Sequence, residues 1–174
     1  KLENIIVIGN GGRENSLAWA IQKNNYVKNI YLIPGNGGSE DIKKCKRLNL
    51  DLNNVNYLSK KFNQLKVNLV IIGPETPLAK GLGDELRNEG FLVFGPGKDG
   101  AMLESSKSWA KSFMRDANIP TADFWKINTI KDAEKVIYSQ PKPLVVKADG
   151  LASGKGVILP DSKEETMRIT NEIL

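Results

Sequence analysis

The sequence predicts an α/β fold, with a parallel sheet covered by helices on both faces across roughly the first hundred residues. Two observations carry this. Short apolar, β-branched runs alternate with stretches of helical period, and four successive runs end in Gly- or Pro-rich turns. Residues 4–9 (NIIVIG) give a buried strand, and 13–24 give a helix with Leu17, Ala18 and Ile21 on one face. A second strand follows at 29–35 (NIYLIPG). Residues 53–66 give a helix with Val55, Leu58, Phe62 and Leu65 on one side, 67–75 (VNLVIIGPE) a strand, 82–90 a helix and 91–96 (FLVFGP) a strand. The strand ends read GNGGRE, PGNGG, GPETP and GPG. In such a sheet, binding loops belong at the carboxyl ends of the strands, and glycine lets backbone amides approach a ligand closely.

The pattern changes near residue 100, which places a domain boundary at GPGKDG and divides the chain into 1–100 and 101–174. Residues 103–119 predict a helix with Trp109, Phe113 and Met114 as its apolar stripe. A strand at 122–127, a helix at 130–139 and a strand at 143–148 follow. Then comes a glycine-rich loop, a strand at 157–160, and a last stretch, SKEETMRITNEIL, of helical character without a C-cap. With no initiating Met at the other end, the chain is expected to be a fragment of a longer protein.

Composition narrows the chemistry. An apolar fraction of 40% and a charged fraction of 26% are ordinary for a globular protein, so disorder is not the default reading. The net charge of +5 comes from dispersed lysines interleaved with acids, which argues against a nucleic-acid partner. A single cysteine, Cys45, rules out an intrachain disulfide; its setting, KKCKR, would lower the thiol pKa if it is exposed, but it reads as an incidental thiol. No histidine occurs, so histidine bases and histidine metal ligands are absent from the chain. No apolar run approaches the length of a membrane span, so no membrane partner is expected.

The segment VVKADGLASGKGVIL (145–159) raises the question of a phosphate site. A P-loop requires G-x-x-x-x-G-K-[ST] at the start of a helix. Here only three residues separate Gly150 from Gly154, Gly156 stands where Ser or Thr is needed, and a strand follows. The P-loop is rejected. A glycine hairpin between strands can still close over phosphates, with Lys155 adding charge. Lys147 sits in an apolar strand, where a buried cation needs an anionic partner; the alternative is a solvent-facing lysine. IGNGGREN (8–15) lacks the third glycine of a dinucleotide fingerprint. It reads either as an anion site built from the amides of Asn10, Gly11 and Gly12 with Arg13, or as a tight turn without a ligand. Glu75, between two prolines, is either a positioned site carboxylate or a helix-start carboxylate favoured by the dipole. Lys107 and Lys111, one turn apart, read as a charged helix face.

Taken in order, VIGNGGREN, IPGNGG, VIIGPETPLAKGLGDEL, FGP, LESSKSWAKSFM, IPTADF and VVKADGLASGKGV resemble the N-terminal part of the phosphoribosylamine–glycine ligase family, the glycinamide ribonucleotide synthetases. The resemblance spans essentially the whole chain. It implies a Rossmann-like, pre-ATP-grasp domain followed by the start of an ATP-grasp domain, and a purine-synthesis ligase that joins glycine to phosphoribosylamine using ATP with Mg2+ or Mn2+. By matching position it implies ATP contacts at Lys107, Lys147, Asp149, Gly150, Ser153, Gly154, Lys155 and Gly156, within a mobile lid at 149–157. It likewise implies substrate contacts at Asn10, Gly11, Gly12, Arg13, Glu14, Gly73, Pro74 and Glu75. No catalytic residue is assigned, and the metal ligands are expected beyond residue 174, so the chain alone is expected to be inactive. The family usually has histidine where Asn15 stands, which puts a histidine-specific contact in doubt but not the turn. A cytoplasmic location, and fusion to or cooperation with other purine-pathway enzymes, go with the same resemblance. Three other readings compete. The missing glycine, and the lack of an acid at the end of the second strand, argue against a Rossmann oxidoreductase. A non-catalytic nucleotide-binding module remains open. So does a sister ATP-grasp ligase, against which GPETPLAKG favours the glycine ligase.

Overall fold

The computed structural model describes residues 1–150 and 156–174, which form two compact units, Lys1–Ala101 and Met102–Leu174. The first unit contains β1 (Asn4–Gly9), α1 (Gly12–Ile21), β2 (Asn29–Pro34), a 3-10 turn (Gly37–Ser39), β3 (Cys45–Arg47), α2 (Val55–Gln64), β4 (Leu69–Ile72), α3 (Glu75–Lys80), α4 (Leu82–Asn88) and β5 (Val93–Phe94). The strands form one parallel sheet in the order β3-β2-β1-β4-β5. Central strand β1 is buried on both sides, so it reads as a continuous apolar run rather than an alternating one. Its side chains nevertheless alternate in space. Ile6 and Ile8 pack with Leu58, Phe62, Val70, Ile72 and Leu86 on one face, while Ile5 and Val7 pack with Ala18, Val27, Ile30 and Leu32 on the other. The two faces are thus closed by α2 and α4 and by α1.

Asparagines fix the amino ends of three neighbouring strands. Asn68, just ahead of β4, accepts the N–H groups of Glu3 (2.8 Å) and Asn4 (2.9 Å) on its Oδ1. Asn4 Nδ2 donates to the Leu65 carbonyl (3.0 Å), and Asn29 Nδ2 donates to Asn4 Oδ1 (2.9 Å), matching the Asn4–Asn29 register.

Four local expectations change. Edge strand β3 was not predicted, because three residues of which two are charged carry too little apolar signal; charged edges of this kind discourage pairing with another chain. The strand expected at 67–75 ends at Ile72, and Glu75 opens α3, whose third residue is Pro77 and which stops at Gly81 with φ +97°. The helix expected at 103–119 is two helices, α5 (Lys98–Ser105) and α6 (Lys107–Asp116). Ser106 between them is extended (φ −134°, ψ 105°), and its hydroxyl caps α6 by accepting the Trp109 N–H. Residues 122–127 form no strand, since no ladder partner lies beside them among the described residues; Lys111 Nζ instead holds Thr121 Oγ1 (2.5 Å) and the Ala122 carbonyl (2.9 Å).

The second unit continues with α7 (Ile130–Ser139), β6 (Val146–Lys147), β7 (Val157–Ile158) and α8 (Lys163–Ile173). Buried residues Ala133 and Ile137 of α7 and Thr166, Ile169 and Thr170 of α8 form its centre. β6 and β7 pair as an antiparallel ribbon. No helix is long and apolar enough to cross a membrane among the described residues.

Replacing Asn68 by Ala removes the acceptor for two strand-end N–H groups. The urea midpoint is expected to fall by the equivalent of about 1–2 kcal/mol. Asn68→Asp, which keeps the acceptor oxygens, should recover most of that at neutral pH.

Candidate functional site

The chain runs from β1 outward to β2 and β3, then crosses back to β4 on the other side of β1. The carboxyl ends of β1 and β4 therefore flank the point where strand order reverses, the general location of ligand crevices in open parallel sheets. Gly9 to Arg13 and Gly73 to Glu75 meet there. Glu14 occupies the space between them. It is only 3% exposed, and its Oε2 accepts the Gly11 N–H (2.8 Å) while Oε1 accepts Arg13 Nε (2.6 Å). A Cβ added at Gly9 would lie 2.5 Å from Glu14 Cγ and Cδ, and one added at Gly73 would overlap Glu14 Oε1. A carboxylate filling the crevice floor accounts for glycine at 73 and, together with a φ of +132°, at 9.

Arg13 then reaches across the strand ends, its Nη1 donating to Glu75 Oε1 (3.0 Å). The two carboxylates raise the Arg13 pKa, Glu14 more than Glu75. Glu75 is held below the usual carboxylate range, first by its own N–H at the start of α3 and then by Arg13. Half of each of the Arg13 and Glu75 side chains remains exposed, so both can meet a ligand. Asn10 is exposed, and its carbonyl accepts Asn36 Nδ2 (2.8 Å). Gly12 faces open space. Pro74 is the N-cap residue of α3.

In the second unit the start of α6 meets the end of β6. Lys107 Nζ donates to the Gly150 carbonyl (2.7 Å). The Asp149 carboxylate accepts the Ser108 hydroxyl (2.5 Å), the Ser108 N–H (3.3 Å) and the Gly150 N–H (3.0 Å). The Ser108 hydroxyl is the main cause that holds Asp149 below its ordinary range; backbone N–H groups at the helix start add to it, and partial burial opposes it. Gly150 has φ +95°, a conformation that favours glycine. Gly156 accepts the Ala148 N–H on its carbonyl (2.9 Å), closing the ribbon. Ser153, Gly154 and Lys155 lie outside the described residues.

One expectation is corrected. Lys147 is exposed, not buried, because its strand is two residues long and pairs only with β7, both of whose residues are themselves exposed. Cys45 is half-buried, so the exposure on which a lowered thiol pKa depended is not met, and desolvation pushes it up to about 11. Sequence reasoning missed Asn36 and Ser39, although the PGNGG turn that holds Asn36 was in view. A groove of about 970 Å3 in the second unit, lined by Trp109, Arg115, Phe124, Trp125, Lys135 and Val136 among others, contains none of the expected site residues. Among the described residues, no three His, Cys, Asp or Glu side chains stand close enough to hold a metal ion.

A five-stranded parallel sheet with a glycine-rich switch point, followed by a helix start and an antiparallel glycine ribbon, defines the class: a pre-ATP-grasp domain and the opening of an ATP-grasp domain. Residues 3–104 match the phosphoribosylglycinamide synthetase N domain, and residues 105–174 match the ATP-grasp (A) domain of the same enzyme. The chain belongs to the phosphoribosylglycinamide synthetase family. It is 40% identical over 169 residues to phosphoribosylamine–glycine ligase of Nostoc sp., covering 97% of this chain and 40% of that protein. It is 42% identical over 175 residues to the trifunctional purine biosynthetic protein adenosine-3 of Drosophila pseudoobscura pseudoobscura, covering 98% of this chain and 13% of that protein. The crystal structure of phosphoribosylamine–glycine ligase from Thermotoga maritima superposes with a TM-score of 0.78 at 32% identity, over 97% of this chain and 39% of that one. The chain thus spans about 40% of the length of the single-function relatives.

Gly73→Ala is expected to destabilise the protein by about 1–3 kcal/mol, since the new methyl meets a buried carboxylate. In a Glu14→Ala background the loss should shrink, a coupling that denaturant melts of the four variants would measure.

A depressed Asp149 pKa stabilises the folded state at pH above its unfolded value, near 3.9, and that contribution is lost as pH falls through the lower folded value. The melting-temperature difference between the parent and Asp149→Asn should therefore be present at pH 6 and fade below about pH 4.

Proposed function

We propose that this chain is the first part of an ATP-dependent ligase that joins glycine to 5-phosphoribosylamine, forming glycinamide ribonucleotide, ADP and phosphate, in de novo purine biosynthesis. The observation that supports it most is the unbroken pair of matches, N domain at 3–104 and ATP-grasp domain at 105–174, in one chain. A cytoplasmic location goes with this reading. The trifunctional relative favours a protein in which this unit is joined to other purine-pathway enzymes.

Glycine's carboxylate resists attack by an amine because its oxygen does not leave. ATP, when bound, supplies the phosphoryl group that converts that oxygen into a leaving group, and the amine then displaces phosphate. The protein's part is positioning and charge neutralisation. In this reading the crevice floor built on Glu14 sets Arg13 and Glu75 at the strand ends, where Asn10, Gly11, Gly12, Gly73 and Pro74 receive the sugar-phosphate substrate. Glu75 is ionised at neutral pH and accepts hydrogen bonds from hydroxyl or amine groups.

The nucleotide phosphates belong to the second unit, with Lys107, Lys147 and the 149–157 segment, including Asp149, Gly150, Ser153, Gly154, Lys155 and Gly156. A lysine carries three donors, so Lys107 can hold the Gly150 carbonyl and still offer N–H groups to a phosphate. Asp149, tied to Ser108, holds the start of that segment against α6. The family relationship calls for Mg2+ or Mn2+ with the nucleotide. The described residues supply no ligand cluster for it, so no step is assigned to the ion here.

The full-length protein should release phosphate from ATP only when both glycine and phosphoribosylamine are present. Turnover with another carboxylate or amine, and none with this pair, would overturn the assignment.

Lys147→Met in the full-length protein should weaken ATP binding roughly ten- to a hundred-fold, the equivalent of one lost charge-assisted phosphate contact. Because Lys147 is exposed, the melting temperature without nucleotide should be unchanged. Unaltered ATP affinity in a nucleotide titration would remove Lys147 from the site.

A further inference from the structure

The turn after β1 and the turn after β2 are joined by a closed ring of hydrogen bonds. Asn15 Nδ2 donates to Asn36 Oδ1 (2.8 Å), the Asn36 N–H donates to Ser39 Oγ (2.9 Å), and the Ser39 hydroxyl donates to Asn15 Oδ1 (2.7 Å). Asn36 Oδ1 also accepts the Gly38 N–H (3.0 Å), and Asn36 Nδ2 donates to the Asn10 carbonyl (2.8 Å). Ser39 is completely buried.

The backbone sets the direction of the ring. Asn36 Oδ1 accepts the Gly38 N–H and so faces Asn15 as an acceptor, which turns the Asn15 nitrogen toward it and leaves Asn15 Oδ1 to accept the Ser39 hydroxyl. Asn36 Oδ1 faces the Gly38 N–H, so its nitrogen faces the Asn10 carbonyl. Neither amide can reverse without opposing like groups. A network with all its members satisfied and one allowed orientation rigidifies what it joins. What it joins is the Asn10–Arg13 turn and the Asn36–Ser39 turn. On each of these a glycine, Gly12 or Gly37, has no atom within 4 Å of where its Cβ would project. No side chain covers either glycine on that side; in the second turn the N–H groups of Asn36, Gly38 and Ser39 are engaged within the turn, which leaves that of exposed Gly37. The N–H groups of the first turn of α1 also lack acceptors within their own helix.

We propose that Asn15, Asn36 and Ser39 are positioning residues for the phosphate group of the sugar-phosphate substrate. They hold the two glycine turns at one separation, so that the Gly37 N–H and the N–H groups at the start of α1 meet the same anion. This rests on the reaction proposed above. A ring that served stability alone would have no reason to act on one substrate in preference to the others.

The test uses the full-length protein. Asn36→Ala should raise KM for phosphoribosylamine about tenfold, with KM for ATP and for glycine each within about twofold and kcat falling by less than KM rises. Asn15→Asp, which replaces the donating nitrogen by an acceptor, should give the same split at neutral pH. Equal rises in all three KM values would overturn the proposal, as would a lowered melting temperature with no change in KM. Calorimetric titration with ribose 5-phosphate separates the proposal from the reaction it rests on. Binding by the parent and about tenfold weaker binding by Asn36→Ala support the positioning role even if the parent fails to turn over glycine and phosphoribosylamine; in that case only the assigned reaction falls. Equal binding by both proteins, or no binding by the parent, overturns the positioning role.

Discussion

Glu14 is the group on which the first unit's site depends. A carboxylate removed from water must be paired or hydrogen-bonded, because an isolated buried charge is prohibitively unfavourable. Here the partners are the Gly11 N–H and the Arg13 guanidinium, at the positive end of α1. Satisfying that one charge fixes a series of other choices. Gly9 and Gly73 have no room for a side chain. Arg13 is turned toward the strand ends, and from there it holds Glu75. The loops after β1 and β4 are thereby joined through side chains at the place where the sheet topology alone only brings them near.

The fold was legible where burial is complete and illegible where pairing is short. β1, β2 and β4 are sheltered on both faces, so their sequences are β-branched runs that no surface element would tolerate. β3 is a three-residue edge in which only Cys45 packs on the core, while Lys46 and Arg47 are exposed. Helix α3 hides within a Pro-rich stretch that reads as a stiff loop, because proline in a first turn looks the same locally in either setting. Ser106 divides a continuous helical pattern by capping α6 with its hydroxyl, a choice that a single serine among several in LESSKSWAKS does not announce.

The site was legible by composition and opaque by cause. The glycines at strand ends pointed to the right loops, yet Gly9 and Gly73 are explained by Glu14, a residue of the chain itself. Asn15 and its partners Asn36 and Ser39 are 21 and 24 residues apart in sequence. Only the pairing of β1 with β2 makes them neighbours, so no local pattern could reveal the ring. Lys147 shows the reverse error. Apolar neighbours suggested burial, but Val145, Val157 and Ile158 are themselves exposed, so the short ribbon shelters Lys147 no better than its neighbours.

The charges around the two regions differ in a way that bears on how each would hold an anion. At the switch point one cation, Arg13, faces two carboxylates, Glu14 and Glu75, so the side chains leave a net negative charge. On the proposed reading, oriented N–H groups of the glycine turns, which carry partial charge without a counter-charge to desolvate, complement a phosphate there alongside half-exposed Arg13. At the α6–β6 region Lys107 and Lys147 stand with Asp149, whose carboxylate is already engaged by Ser108 and the helix start. The surplus there is positive, suited to a polyphosphate whose several charges exceed what amides alone would neutralise. On the proposed reaction this division is useful chemically. A single phosphate that only has to be held is matched by fixed dipoles. A phosphate chain whose charge redistributes during transfer is matched by full cations.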